Sequence, residues 1–191
     1  MFHYKYNNFN MAKIKNIILI GFMGTGKTSV GQILAKKLNF IFVDIDELIE
    51  KILGMKISEI FTRFGESRFR DIETEIIKLI TKRKRQVIAT GGGAVLREEN
   101  MAQLKASGVV FCLTAPENVI FKRVRQCKKR PLLQVENPEQ RIRALIKKRM
   151  PFYEKADFSI NTDGLTPEEV ADKIIKEYER LINGKAQSRA T

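Results

Sequence analysis

The order of elements in this 191-residue chain predicts an α/β three-layer sandwich: a five-stranded parallel sheet with helices on both faces. Three observations predict it. Short apolar runs alternate with helix-period stretches over short links, and such alternation folds as a parallel sheet with helical crossovers. The first apolar run, Ile17-Ile18-Leu19-Ile20, opens directly into GFMGTGKT, Gly21 to Thr28, the Gly-x-x-x-x-Gly-Lys-Thr pattern of a P-loop. Polar or glycine-rich signals then recur after the second and third runs, where ligands gather in an open α/β sheet.

The first strand is Asn16 to Ile20, and the helix after the P-loop runs from about Lys27 to Leu38. Phe40 to Val43 forms a short buried strand that ends in Asp44-Ile45-Asp46-Glu47. A helix follows from about Asp46 to Leu53, stopped by Gly54. Ile57 to Phe64 is a second short helix, ended by Gly65. A longer helix, about Glu66 to Lys82, places Phe69, Ile72, Ile76, Ile77 and Ile80 at helical spacing. The third strand, Gln86 to Thr90, leads into Gly91-Gly92-Gly93.

Residues 98–107 read as a helix and Val109 to Leu113 as the fourth strand. Pro116 opens a helix at a first-turn position, where its missing N–H costs little, and that helix runs to about Gln126. Residues 127–138 are polar, contain two prolines and read as a loop. Pro138 opens the next helix and Pro151 ends it. Phe158 to Ile160 is the last strand, and Thr166-Pro167 caps and starts a final helix to about Ile182. The helices between the second and third strands are extra for a simple crossover and are expected to project as a substrate-binding lobe.

Composition narrows the function. The length fits one domain, and 43% hydrophobic residues suffice for a core. No run approaches the ~20 apolar residues that span a bilayer. The N-terminus, MFHYKYNNFN, lacks the apolar region of a signal peptide, and Met11 is a second plausible start, so residues 1–10 read as an extension. Cys112 and Cys127 have no metal-ligand spacing, and a reducing cytoplasm fits them. The only histidine is His3, which argues against histidine-based triads and bases. A net charge of +13 raises nucleic acid or small polyanions as partners. The bases are scattered along helix faces without an aromatic-interleaved motif, so no nucleic-acid partner is expected. No heptad or apolar stripe argues for a dimer, and a monomer is expected.

The P-loop cradles phosphate because successive backbone N–H groups at a helix N-terminus form a concave anion site. Lys27 reaches the β- and γ-phosphates, and the Thr28 hydroxyl ligates Mg²⁺. Phosphoryl transfer needs an acceptor held in line and developing charge neutralised, and four further constellations suit those jobs. Asp44-x-Asp46 ends the second strand: Asp44 either holds Mg²⁺ through water or caps the next helix in a box with Glu47, and Asp46 orients an acceptor hydroxyl. Arg70 and Glu73 share a helix face, as an ordinary ion pair or as an anion site. The glycine triplet is either a tight turn or a row of bare N–H donors. Arg130 in the long loop and Arg149 on the next helix are either surface charges or groups that cover phosphate and bind an anion.

Together GFMGTGKTSVG (21–31), DIDELIE (44–50), FGESRFRDIE (64–73), GGGAV (91–95), KKRPLL (128–133) and RMPFYEKAD (149–157) resemble the shikimate kinase family, over roughly residues 15–182. The resemblance implies a P-loop NTPase fold with shikimate-binding and lid regions, and transfer of the ATP γ-phosphate to the 3-hydroxyl of shikimate. A single kinase domain would occupy residues 11–183, with the substrate lobe at about 44–75, the lid at about 124–138 and a tail at 184–191. Gly24, Thr25, Gly26, Lys27, Thr28 and Ser29 would hold the ATP phosphates, and Arg123 would pack against adenine. Thr28 would ligate Mg²⁺ directly and Asp44 through water. Asp46 would bind the acceptor hydroxyls and serve as base; Arg70 and Arg149 would bind the carboxylate, with the Gly92 N–H assisting. Glu73 would orient Arg70, Phe61 and Phe69 would wall the ring site, and Arg130 would close over the phosphates. Lys27, Asp46 and Arg130 would be the catalytic set. Departures from the family pattern are the Thr28-Ser29 order, a link one residue shorter between Tyr153 and Asp157, and the N-terminal extension. On the motifs alone, another small-metabolite P-loop kinase and a P-loop regulatory module are the alternatives.

Overall fold

A computed structural model describes residues 15–125 and 137–187. Residues 1–14, the 126–136 part of the expected lid with Arg130 and Cys127, and residues 188–191 lie outside the described residues. The five strands are β1 (Asn16–Ile20), β2 (Ile41–Asp44), β3 (Gln86–Ala89), β4 (Gly108–Thr114) and β5 (Phe158–Asn161). They form one sheet in the order β2-β3-β1-β4-β5, with every pairing parallel. The helices are α1 (Lys27–Leu38), α2 (Ile45–Leu53), α3 (Ile57–Ile80), α4 (Glu98–Ser107), α5 (Glu117–Arg125), α6 (Pro138–Tyr153) and α7 (Pro167–Gln187).

β1 is buried at all five positions, because a central parallel strand is covered on both faces. Its side chains alternate between two cores. Ile17 and Leu19 pack with Val30, Leu34 and Leu38 of α1 and with Val170, Ile174 and Tyr178 of α7. Ile18 and Ile20 point the other way, into a core that includes residues of α2 through α6. After β3 the chain crosses β1 to form β4, so the order reverses at β1, where ligands sit in such sheets.

Several boundaries differ from the sequence expectation for physical reasons. Gly65 separates two helical stretches as expected: its φ of 80° and ψ of 167° are non-helical, and the continuous span Ile57–Ile80 bends there. Pro151 does not end α6, which continues to Tyr153. One missing N–H near a C-terminus frees only the carbonyl of Lys147, and both residues face solvent, where water satisfies it. Pro116 stands just before α5 and accepts the first helical hydrogen bonds at its carbonyl, from Val119 and Ile120. Thr166 and Glu169 form the capping box that starts α7, with Glu169 N–H donating to Thr166 Oγ1 at 3.2 Å and Thr166 N–H to Glu169 Oε2 at 2.7 Å. α7 runs past the expected end to Gln187.

One buried polar side chain pins the bottom of the sheet. Asn16, fully buried, donates through Nδ2 to the Arg83 carbonyl (2.8 Å) and accepts at Oδ1 from the Gln86 N–H (3.0 Å). It thereby fixes where the turn after α3 enters β3. Asn16→Ala leaves the Gln86 N–H without this partner and the Arg83 carbonyl with only the Gln86 Nε2 donor at 3.2 Å, and is expected to cost about 1–3 kcal/mol. Urea unfolding reads this as a lower midpoint at unchanged slope; an unmoved midpoint would refute the clip.

Candidate active site

The P-loop leaves the central strand and enters α1 through Gly26, a left-handed N-cap with no side-chain cap. The first turn of α1 carries no acid, although the helix dipole favours one there; it carries Lys27. Uncapped N–H groups and a lysine at the positive end of a helix form an anion site. Lys27 Nζ donates to the carbonyls of Gly21 (2.8 Å) and Phe22 (2.9 Å), which keeps the ammonium beside the loop. Thr25 is buried and closes the loop by donating from Oγ1 to the Phe22 carbonyl at 2.8 Å. Ser29 is exposed on the first turn of α1.

Asp44 serves on both sides of the cleft. Its Oδ1 caps α2, accepting from the N–H groups of Asp46 (3.1 Å) and Glu47 (3.4 Å). Its Oδ2 accepts from Thr28 Oγ1 at 2.9 Å. The capping role and the place beside the P-loop hydroxyl therefore coexist. Hydroxyl and carboxylate oxygens at a phosphate loop are the hard donors magnesium takes, with water and phosphate completing its shell. Among the described residues no group of three or more His, Cys, Asp or Glu side chains is placed to hold a metal by itself.

The acceptor side is built on the glycine triplet after β3. A Cβ at Gly91 would stand 2.7 Å from Asp46 Oδ1 and 3.0 Å from Glu73 Oε1. A Cβ at Gly92 would stand 3.3 Å from Arg149 Nη1, and one at Gly93 would collide with the Arg70 guanidinium. α2, α3 and α6 thus each deliver a charged group onto the same three residues. Arg70 Nη1 donates to Glu73 Oε2 at 2.7 Å and Nη2 to Glu66 Oε1 at 3.1 Å. Glu73 is fully buried, and among the described residues its Oε1 has no hydrogen-bond partner. Burial pushes the Glu73 carboxyl up to about 7, against the pull of Arg70. Burial alone would lower the Arg70 pKa; Glu73 and Glu66 outweigh it and hold the guanidinium above its ordinary value.

Arg149 is 5% exposed and lies over the Phe22 ring, 5.6 Å from its centroid. Among the described residues it has no carboxylate within ion-pair distance. Phe61 and Phe69 pack with ring centroids 4.8 Å apart, and Arg70 lies 5.0 Å from the Phe69 centroid. Arg123 reaches across to Gly24 O (3.3 Å), Thr162 Oγ1 (3.0 Å) and Thr162 O (3.1 Å), so it ties the P-loop to the turn after β5. The short link before Asp157 leads the chain back to the sheet. Asp157 pairs with Val110 and Thr162 with Thr114, keeping β5 and the turn on the sheet edge.

The sequence reading missed Tyr153. Its hydroxyl donates to the Gly92 carbonyl at 2.6 Å, and burial pushes its pKa up to about 12. The signal was present: Tyr153 stands four residues after Arg149, on one helical face, but ending the helix at Pro151 hides that spacing.

The shikimate kinase family profile matches residues 23–179. A shikimate kinase from Thermodesulfovibrio yellowstonii is 74% identical over 172 residues, which cover 90% of this chain and 99% of that protein. The structure of a shikimate kinase from Acinetobacter baumannii in complex with shikimate superposes with a TM-score of 0.83 at 42% identity, covering 90% of this chain and 94% of that one. The shikimate kinase from Aquifex aeolicus superposes with a TM-score of 0.77 at 36% identity, covering 86% and 96%. With this match over most of its length, and with a P-loop cleft to receive it, the chain belongs to the shikimate kinase family.

Proposed function

We propose that this chain transfers the γ-phosphate of ATP to the 3-hydroxyl of shikimate, giving shikimate 3-phosphate and ADP. One observation carries the choice of acceptor: Arg149 is a buried cation without an acid partner among the described residues, and it shares the glycine loop with Arg70. A desolvated guanidinium needs an anion, and a planar carboxylate meets it through paired hydrogen bonds. In this reading the Gly92 N–H assists in binding the carboxylate. Phe61 and Phe69 supply an apolar wall for a carbocyclic ring.

Gly24, Thr25, Gly26, Lys27, Thr28 and Ser29 hold the phosphates in this reading, and Arg123 supports the adenine end. Thr28, and Asp44 through water, hold Mg²⁺, which when bound neutralises charge on the β- and γ-phosphates. Asp46 accepts the proton of the attacking hydroxyl at a carboxylate oxygen, in a chain with no histidine among its described residues. In the same reading Arg130 closes over the phosphates from a lid at about 124–138, with a substrate lobe at about 44–75, within one domain of residues 11–183. In this reading the protein works in the cytoplasm, since its two cysteines lack framework spacing, and as a monomer, since no heptad or apolar stripe in the sequence argues for a dimer. Among the described residues no helix is long and apolar enough to cross a membrane.

ADP release measured with shikimate, gluconate and nucleoside monophosphates in parallel tests the reading. Turnover with shikimate alone is expected, and its absence would sink the assignment. Asp46→Asn is expected to lower kcat by roughly 10²- to 10⁴-fold with the KM for ATP unchanged; full turnover would remove Asp46 from the chemistry. Arg70→Ala should raise the shikimate KM roughly 10- to 100-fold, the scale of hydrogen bonds to charged groups. It should also lower Tm, because Glu73 stays buried without its cation. Glu73 adds a pH test. Its carboxyl rises from 4.5 to about 7 on folding, so between these values the folded state binds the extra proton and stability falls as pH rises. Glu73→Gln removes that decline. The stability difference, variant minus wild type, should grow from about pH 4.5 to about pH 7 in urea titrations. A flat difference would place an ordinary acid at this position.

A further inference from the structure

The two arginines that face the glycine loop come from helices far apart in sequence, and one hydrogen bond joins the second helix to the loop between them. Arg70 stands on α3 against Gly93, and Arg149 on α6 against Gly92. Tyr153, one turn beyond Arg149, donates from Oη to the Gly92 carbonyl at 2.6 Å. That carbonyl belongs to the Gly92–Gly93 peptide, so the bond grips the unit on whose two ends the two guanidiniums rest. Tyr153 is 4% exposed and packs in the core shared by α2 to α6, so its ring cannot swing away without opening that core. Its hydroxyl also lies beside Arg149, whose charge draws its pKa down against burial.

We propose that Tyr153 is a positioning residue of the acceptor site: its bond to the Gly92 carbonyl sets the spacing at which Arg70 and Arg149 meet one carboxylate. The proposal rests on the assignment of a carboxylate acceptor to this cleft. Without the hydroxyl, α6 and the glycine loop are held only by apolar packing, which fixes distance less sharply than a 2.6 Å hydrogen bond. The loop then drifts relative to α6, and a planar anion meets one arginine well and the other poorly. The phosphate side is anchored separately, through Lys27 and Thr25 on the Gly21 and Phe22 carbonyls and Arg123 on Gly24 and Thr162. The effect should therefore fall on acceptor binding and spare ATP.

The test is steady-state kinetics of wild type and Tyr153→Phe with shikimate and with its primary carboxamide, alongside thermal melting. The variant is expected to raise the shikimate KM roughly tenfold, the size of one lost buried hydrogen bond, while the KM for ATP stays within about twofold. With the carboxamide, wild type and variant should have nearly equal KM, since no charge bridges the arginines. An unchanged shikimate KM in the folded variant overturns the proposal. So does an equal loss with the carboxamide, which would make the role structural only. Should Tyr153→Phe not fold, Tyr153→Leu removes the same hydroxyl while keeping an apolar side chain in the core. It is expected to give the same carboxylate-dependent KM rise, and an unaltered KM there overturns the proposal equally. Wild type that ignores shikimate altogether refutes the acceptor assignment instead, so the two failures are distinct.

Discussion

Charged groups from three helices crowd the glycine loop: a side chain at Gly91 or Gly93 would displace Asp46, Glu73 or Arg70, and one at Gly92 would press against Arg149. The sheet explains why the groups converge there. β2 pairs with β3 so that Asp44 is level with Ala89, and β1 pairs so that Leu19 is level with Ala89. Two residues further along each strand direction stand Asp46, Gly21 and Gly91. The parallel register therefore brings Asp46, the start of the P-loop and the glycine loop to one level above the sheet. A Cβ at Gly92 would lie 3.5 Å from the Gly21 carbonyl oxygen and 3.6 Å from the Met23 nitrogen, so the glycine loop and the P-loop are close neighbours. Alanine in this stretch would push apart groups whose spacing is the basis of the chemistry.

Glu73 shows what the arrangement costs. A fully buried carboxylate loses its hydration, and one guanidinium restores only part of that loss. The raised pKa of Glu73 and its unpartnered Oε1 record the remainder. A well-packed apolar residue in its place would serve stability as well or better. It would also release Arg70, whose guanidinium is fixed by Glu73 on one edge and Glu66 on the other. The buried acid is explained as an orienting device for a cation that faces the cleft. Glu66, which is 59% exposed, can move, so the buried partner sets the direction.

The fold was legible because its signals are local and periodic. Apolar runs bounded by glycine, proline or capping residues marked all five strands. The P-loop placed the donor site, and Gly65 marked a break that the backbone confirms with a left-handed φ. Asp44 showed where local reading stops: sequence offered capping or a place beside the metal site as rivals, and the side chain has two oxygens that serve both surroundings. Pro151 showed a different failure. A proline near a solvent-facing C-terminal turn forfeits one hydrogen bond that water replaces, so it did not stop α6. With the helix wrongly ended, the one-turn spacing of Arg149 and Tyr153 could not be seen. The contact of Tyr153 with Gly92, 61 residues away in sequence, follows from tertiary packing that no local pattern encodes.

Asp44 also bears on how donor and acceptor are held in relation to each other. In-line transfer tolerates little misplacement, since a shift of about 1 Å can cost roughly 10²-fold in rate. The P-loop belongs to β1 and α1, and Asp46, the proposed base, belongs to α2; left to apolar packing alone, these elements would be related only loosely. One carboxylate connects them. Its Oδ2 takes the hydroxyl of Thr28 at the entrance of α1, while its Oδ1 takes the first N–H groups of α2, including that of Asp46 itself. The backbone that carries Asp46, the proposed base, is therefore hydrogen-bonded to the same side chain as the P-loop hydroxyl. A longer acid at position 44 would keep the charge and lose this double reach, because capping and the Thr28 contact both depend on the short side chain of aspartate. Charge alone does not describe this position; its geometry is what couples the two halves of the site.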